Sequence, residues 1–241
     1  METQANHKSN LILRALPSRE YERLSTHLEY VELPLGKILY NPEEPIRHAY
    51  FPLSGAVSIV TVLRDGGSVE AGVVGNEGIV GIPLVLGTEM ELNRRAVVQI
   101  AGSGLKLKAP VFNGEFKRGE RLHDLLLNYL HAFITQLSQT AACNRMHRLE
   151  ERLARWLLAC QDRLSSAEMQ LTQEFIAEML GVRRAGVSVA ATQLQVRGLI
   201  KHKRGFIQII DRAGLEAASC ECYAVVRREY QRLVENRADP G

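Results

Sequence analysis

The residues best placed to do chemistry are basic side chains concentrated between Val182 and Ile210. That segment contains no acidic residue, although the 241-residue chain as a whole has a formal net charge of only +3. Guanidinium and ammonium groups grouped in this way attract a polyanion. A run of charged residues is also typical of an ordinary solvent-exposed face. The secondary structure that carries these residues is therefore needed to distinguish the two interpretations. The basic residues are Arg183, Arg184, Arg197, Lys201, Lys203 and Arg204.

Two short helices joined by a glycine are predicted around the start of this segment. Thr172 can cap the first helix, with Gln173 in its first turn. Gly181 stands where that helix must end, because glycine tolerates the left-handed conformation required there. A second helix is predicted from about Arg183. Its buried stripe consists of Val187, Ala190, Ala191 and Leu194.

This arrangement is typical of a helix-turn-helix, whose second helix lies in the major groove of DNA with its first residues at base edges. Arg183 and Arg184 could bind guanine through two hydrogen bonds, and Ser188 could contact a base or a phosphate. Gly186 would let the backbone approach the duplex closely.

A β-hairpin with a cationic tip is predicted directly after the second helix. Its turn contains Lys201, Lys203 and Arg204, between the apolar pairs Leu199-Ile200 and Phe206-Ile207. Beside the second helix it would form a wing on the phosphate backbone. The predicted DNA-binding residues are Thr172, Gln173, Arg183, Arg184, Gly186, Ser188, Lys201, Lys203 and Arg204.

The first half of the chain has a different composition, which is rich in Val, Ile and Gly. Asn10 to Leu28 predicts one or two short helices. Short strands then follow up to Leu107, and Asp65-Gly66 between two of them is a strong hairpin signal. Closely spaced strands without long intervening helices favour an antiparallel roll or barrel.

A long helix with one apolar stripe is predicted over residues 122 to 140. Such a stripe on a helix between two domains suggests a coiled-coil dimer seam. A helix packed on its own β domain is the alternative. A further helix is expected from about Met146 to Arg163, with a hinge near Ala142 to Arg145. The predicted dimer interface is Leu122, Leu126, Tyr129, Phe133 and Leu137.

Composition bounds the remaining possibilities. Hydrophobic residues make up 46% and charged residues 24%, as in ordinary soluble globular proteins. No apolar run approaches the roughly 20 residues that span a bilayer, and residues 1 to 10 lack a signal-peptide core, so we expect no membrane association and a cytoplasmic location. The cysteines match no paired zinc pattern, and reduced thiols without metal are expected. They are Cys143, Cys160, Cys220 and Cys222.

The sequence resembles the Crp/Fnr family of bacterial transcription regulators over nearly its whole length. The resemblance is carried by residues 149 to 158, Leu171 to Val182 and Gly198-Leu199-Ile200, and more weakly by glycine spacing in the β-rich part. It implies an α+β fold: an N-terminal antiparallel β roll of the cyclic-nucleotide-binding type, a long dimerisation helix and a C-terminal winged helix-turn-helix. The implied domain boundaries are 10–118, 119–142 and 143–220, with a C-terminal helix or tail over 221–241.

The chain departs from the family members that bind cyclic AMP. The resemblance puts Gly81 at the glycine of the nucleotide cassette, but Ile82 at the position of a ribose-binding glutamate. Ile82 cannot accept a hydrogen bond from a ribose hydroxyl. Arg94 could fill the phosphate-binding role while Arg95 replaces a hydroxyl residue, and both could equally be surface charges. These four residues are the candidate effector pocket, and the effector is unknown.

Other family mechanisms fit less well. An oxygen-sensing iron–sulfur cluster needs N-terminal cysteines, and none precedes Cys143. A haem would need a ligating His or Cys in the β roll, and a lone His there is more often structural. No cofactor is therefore expected. The resemblance also places Ala185 where the family often has a Glu that reads cytosine, so a different operator is expected.

The sequence thus predicts a homodimeric, sequence-specific regulator of transcription that binds double-stranded DNA, with RNA polymerase as a further partner that the resemblance allows. An enzyme is not expected, because no P-loop type phosphate-binding loop, no nucleophile elbow and no His/Glu metal pair at helical spacing is present. The alternative is a ligand-binding or protein-interaction module without specific DNA binding. That alternative leaves the basic segment without a purpose.

Overall fold

The computed structural model of the chain describes residues 7–164, 168–203 and 205–235. A short 3-10 helix precedes the first α-helix, and strands dominate up to residue 108. The strands are β1 (Glu29–Leu33), β2 (Ile38–Tyr40), β3 (His48–Pro52), β4 (Ala56–Val62), β5 (Ser68–Val74), β6 (Arg94–Ile100), β7 (Gly102–Lys108), β8 (Glu168–Gln170), β9 (Ile200–Lys203) and β10 (Phe206–Ile209). The helices are α1 (Leu11–Arg14), α2 (Ser18–Ser25), α3 (Ile82–Val85), α4 (Ala109–Phe116), α5 (Arg121–Met146), α6 (Leu149–Gln161), α7 (Gln173–Leu180), α8 (Arg184–Val196), α9 (Arg212–Ala218) and α10 (Cys222–Glu235).

Strands β1 to β7 form the β roll as two antiparallel sheets, in the orders β1-β7-β3 and β2-β6-β4-β5. The predicted hairpin joins β4 to β5, where Gly66 has a φ of 85° and Asp65 accepts a hydrogen bond from the amide of Gly67. The register pairs Val57 with Val74 and Ser58 with Val97. The sequence pattern did not predict four of these elements individually: strands β1 and β3 and helices α3 and α4.

Helix α5 closes one side of the β roll. Its side chains Leu122, Leu126, Tyr129 and Phe133 are at most 2% exposed and belong to the core of the roll. Gln136, also buried, donates to the carbonyl of Val73 on β5 at 3.0 Å. Helix α10 lies along α5, and the hydroxyl of Tyr230 donates to the side-chain oxygen of Gln136. The α5 helix is thereby fixed to the roll and to α10.

Helices α6 to α9 and the sheet β8-β10-β9 pack around a second core, the winged-helix unit. Trp156, Leu153 and Leu157 of α6 form its centre. The chain breaks between α5 and α6 at His147 and Arg148, where ψ is near 150° at both residues. The predicted hinge at Ala142 to Arg145 was therefore placed too early, because α5 continues to Met146.

The α+β fold predicted from the sequence is confirmed: an antiparallel roll, a long helix and a winged helix-turn-helix, in that order. No helix within the described part of the chain is long and apolar enough to cross a lipid bilayer.

Candidate nucleic-acid interface

The helix-turn-helix forms as its sequence signals predicted. Thr172 caps α7, with its hydroxyl accepting a hydrogen bond from the amide of Phe175 at 3.2 Å. Gly181 ends α7 with a φ of 62°, in the left-handed region. Arg183 is the N-cap of α8, one residue before the helix proper. The stripe of Val187, Ala190, Ala191 and Leu194 is buried, so the opposite face of α8 is left to solvent.

The open face of α8 carries the predicted base-reading side chains. Arg183 and Arg184 are exposed and Ser188 is half-buried. Arg184 lies 3.8 Å from the carboxylate of Glu174 on α7, and both side chains are more than two-thirds exposed, so this weak pair leaves the guanidinium available. The start of α8 therefore presents two arginines outward.

The wing lies beside the first turns of α7 and α8. Residues Lys201 and Lys203 on β9 are exposed, and β9 pairs with β10 in antiparallel register. The side-chain oxygen of Gln195 on α8 accepts from the amide of His202 at 2.7 Å, which ties the wing to this helix. A groove of about 390 Å³ separates the three elements. It is lined by Thr172, Gln173, Glu174, Arg184, His202 and Gly205.

The groove brings Thr172, Gln173 and Arg184 together, whereas Lys201 and Lys203 lie on the other side of β9, in a depression with Phe206 and Gln208. We call these five predicted residues, together with the exposed Arg183 and the half-buried Ser188 of α8, the basic face. Arg204, which the sequence also predicted, lies outside the described residues. Arg197, the other basic residue of the run, pairs with Glu150 of α6 at 2.6 Å.

Gly186 does not belong to this face. A Cβ atom at this position would lie 2.9 Å from a methyl carbon of Leu149, so the glycine lets α8 pack closely on α6. Its predicted approach to DNA is corrected to a role in helix packing.

Sequence reasoning missed other members of the outward face of α8. Val189 is 60% exposed, and Thr192 is exposed with its hydroxyl bonded to the carbonyl of Ser188. Ala185, Val189 and Thr192 follow one another at helical spacing, which would have revealed them once the buried stripe was fixed. A Val side chain suits apolar contact with a thymine methyl group.

The predicted dimer seam needs a correction. Leu122, Leu126, Tyr129 and Phe133 are buried in the core of their own β roll, and Leu137 packs partly buried against the same core. The first four are therefore not free to face a second chain, whereas Leu137 keeps part of its surface exposed. The side of α5 turned away from the roll carries other apolar residues, with Leu127 42% and Ile134 51% exposed.

The candidate effector pocket is closed in this structure. Gly81, Ile82 and Arg94 line a space of only about 10 Å³, far less than the several hundred Å³ of ordinary ligand pockets. Arg94 is paired with Glu91, with N–O distances of 2.6 and 2.8 Å. Arg95 does not line this space, and its Nε is buried without a hydrogen-bond partner among the described residues. The four residues do not form a nucleotide-sized site.

A larger cavity of about 320 Å³ lies between the β roll, α6 and α10. Glu77 and Arg163 face it and pair at 2.6 Å, both largely buried. The ion pair with Arg163 thus occupies the carboxylate of Glu77. Trp156 and Tyr230 also line this cavity.

Comparison with known proteins shows what the C-terminal part of the chain is similar to. Residues 151–218 match the family model of the Crp-like helix-turn-helix domain. No curated protein matches the chain in sequence. The C-terminal part of the chain is therefore a Crp-like helix-turn-helix domain.

Solved structures extend the likeness to the whole fold. A candidate transcriptional regulator of the Crp/Fnr family from Eubacterium rectale is 18% identical, with a TM-score of 0.68 over 86% of this chain and 96% of that one. FixK2 from Bradyrhizobium japonicum is 19% identical, with a TM-score of 0.65 over 80% and 98%. A CRP-family transcriptional regulator from Thermus thermophilus is 22% identical, with a TM-score of 0.64 over 78% and 96%. The chain has the fold of Crp/Fnr transcription regulators, which confirms the resemblance inferred from the sequence.

Proposed function

We propose that this protein is a homodimeric regulator of transcription that binds a specific sequence of double-stranded DNA in the cytoplasm. The single observation that supports this most directly is the basic face, where two exposed arginines at the start of α8 lie beside a lysine-bearing wing. Arginine is suited to read guanine in the major groove, and the wing lysines are suited to neutralise phosphates. The role is regulatory rather than catalytic.

The proposed dimer uses the outward side of α5. Leu127, Ile134 and Ala141 are exposed and lie seven residues apart, the spacing of a coiled-coil seam. Leu130, half-buried, lies at the edge of this stripe, because it also packs against the core of the roll. Two chains paired along this stripe would present two α8 helices to half-sites about 34 Å apart, one turn of DNA.

The interior of the β roll does not favour cyclic AMP as the signal, because Ile82 is buried and Arg94 is held by Glu91. A signal that acts on the dimer would have to change the arrangement of α5 and the winged-helix unit. RNA polymerase is a proposed further partner on the strength of the family likeness alone.

The test is selection of DNA from a random-sequence pool by the purified protein, followed by fluorescence anisotropy with the selected duplex and a scrambled one at two salt concentrations. The expected result is a near-palindromic consensus, tighter binding of the selected duplex, and affinity that falls steeply with salt. Failure to enrich any sequence, with equal affinity for both duplexes, would favour the module without specific DNA binding.

A further inference from the structure

Four potential metal ligands converge where α5 ends and α10 begins. Cys143 and His147 lie one helical turn apart at the end of α5, and Cys220 and Cys222 lie just before and at the start of α10. One donor atom from each of the four side chains lies within 4.8 Å of all the others. The set joins parts of the chain separated by 77 positions. We call these four residues the Cys/His cluster.

We propose that the Cys/His cluster is a structural zinc site. A tetrahedral zinc ion with Zn–S bonds of about 2.3 Å and a Zn–N bond of about 2.0 Å separates its ligand atoms by roughly 3.5–3.8 Å. The sulfurs of Cys143 and Cys220 are 3.5 Å apart, and the sulfur of Cys222 lies 3.6 Å from Nδ1 of His147. These two of the six separations are close to tetrahedron edges, and all four ligand atoms lie within 4.8 Å of one another, so shifts of no more than about 1 Å would bring them to the ion.

The orientation of His147 also suits a metal ligand. Its Nδ1 faces the sulfurs, while its Nε2 lies 3.2 Å from the carboxylate of Glu221. Metal-bound histidines commonly donate their second ring N–H to a carboxylate, which fixes the tautomer and ring orientation. Glu221 is thus a positioning residue for His147 rather than a ligand.

Buried positive charge beside the cluster provides an independent argument. Arg152 and Arg155 of α6 are both less than 10% exposed, and the Nε atom of each has no hydrogen-bond partner within the described residues. Arg152 donates to the carbonyl of Leu180 through another nitrogen, and the buried carboxyl of Glu70 interacts electrostatically with Arg155, so the two charges are only partly compensated. Three thiolates, a neutral imidazole and Zn²⁺ together carry one negative charge, and the guanidinium groups of both arginines act electrostatically on cysteines of this cluster. The zinc site would add a countercharge next to both arginines.

The donor set defines the class of metal. Three sulfurs and one imidazole nitrogen favour zinc over magnesium or calcium, which take oxygen ligands. A disulfide between Cys143 and Cys220 is the rival, but it requires the sulfurs to approach to about 2.05 Å and leaves Cys222 and His147 unused. The reduced cluster is buried and offers four ligand atoms, so it fits the ion better than a disulfide.

Metal analysis of the full-length protein, purified without chelators, tests the proposal. We expect one zinc ion per chain by mass spectrometry. After exchange, cobalt should show a near-ultraviolet sulfur-to-metal charge-transfer band and the visible bands of tetrahedral Co²⁺. Less than about a tenth of an ion per chain after zinc is supplied, a native Cys143–Cys220 disulfide, or cobalt spectra without sulfur coordination would each overturn the site.

Variants assign the ligands. Cys222→Ser and His147→Gln should each lose the ion or change the cobalt spectrum, and Glu221→Gln should weaken zinc binding by about tenfold through the orientation of His147. Cys160→Ala is the matched control, because this buried thiol accepts from Gln99 in a separate core, and it should keep one ion per chain. If ligand variants do not fold, the cobalt spectrum of the wild-type protein still decides. Equal zinc content in Cys222→Ser, His147→Gln and wild type would contradict the assignment.

Discussion

The indole N–H of Trp156 donates a hydrogen bond of 2.9 Å to the buried carboxylate of Glu70, which joins α6 of the winged-helix unit to strand β5 of the β roll. The other carboxylate oxygen accepts from the hydroxyl of Ser58 at 2.7 Å. The same interface places Gly181 against Val69, where a Cβ atom would approach a methyl carbon to 2.9 Å. The helix-turn-helix is therefore packed directly on the roll, and the roll can influence its position.

Glu70 should make stability depend on pH. Burial raises the pKa of its carboxyl, while hydrogen bonds from Ser58 and Trp156 act in the opposite direction. A carboxyl whose pKa is higher in the folded state stabilises the fold below its unfolded pKa, and this contribution is lost as pH rises through the folded pKa. Glu70→Gln removes this titration. The free energy of unfolding of the variant, relative to that of the wild type, should therefore increase from acid to neutral pH.

Urea unfolding between pH 4.5 and 8 measures this difference. Glu22→Gln, the same chemical change on an exposed residue of α2, serves as the control and should leave the pH dependence unchanged. Parallel curves for Glu70→Gln and wild type across the range would contradict the prediction.

The ion pair between Glu77 and Arg163 should be sensitive to loss of one partner. Its charged groups meet at 2.6 Å with side chains no more than 10% exposed. Glu77→Gln leaves the guanidinium of Arg163 buried without its countercharge, and we expect a loss of about 3–5 kcal/mol in the free energy of unfolding.

The double variant Glu77→Gln with Arg163→Gln tests the cause. Because it removes both charges, it should recover part of the stability that the single change loses. Denaturant unfolding at neutral pH compares wild type, the single variants Glu77→Gln and Arg163→Gln, and the double variant. If the double variant loses more free energy of unfolding than the two single variants lose in total, packing rather than charge dominates this pair.

Two substitutions on the basic face should have different effects on DNA binding. Arg184→Ala removes a proposed base contact, so it should weaken the selected duplex by about 1–3 kcal/mol with little effect on a scrambled one. Lys203→Ala removes a proposed phosphate contact, so both duplexes should weaken alike and the salt slope should fall by about 1.

Anisotropy titrations at several salt concentrations separate the two effects. Arg197→Ala is the matched control, because this arginine is engaged by Glu150 of α6 and lies outside the basic face. Unchanged affinity of Arg184→Ala for the selected duplex would mean that α8 is not the reading helix.

The sequence predicted the helix-turn-helix well because its signals are local. Gly181 with its left-handed backbone and Thr172 at the N-cap determine the ends of α7 through their own dihedral angles and hydrogen bonds. The side chain contacts of α5 could not be predicted in the same way. An apolar stripe shows that Tyr129 and Phe133 must be covered, but not whether a second chain or the β roll covers them.

The packing role of Gly186 and the proximity of the four side chains of the Cys/His cluster could not be predicted from the sequence, for a related reason. Gly186 meets Leu149 only because α6 crosses α8 at that point. Cys143 and Cys220 are distant in sequence, and only the return of α10 along α5 brings their sulfurs to 3.5 Å. Neither relationship leaves a periodic signal in the chain.

The outward stripe of α5 gives the last prediction, which concerns the dimer. Leu127 and Ile134 are exposed on the described chain although both are large and apolar, and pairing of two copies would bury them. Leu127→Glu with Ile134→Glu places like charges on facing helices, so the protein should become monomeric while its helix content is retained. Specific DNA affinity should then fall, because a single winged helix contacts one half-site.

Light scattering after size exclusion measures the mass, with Leu92→Glu, a 72% exposed leucine of the β roll, as the matched control. A double variant that still elutes with twice the mass of one chain would place the dimer contact elsewhere.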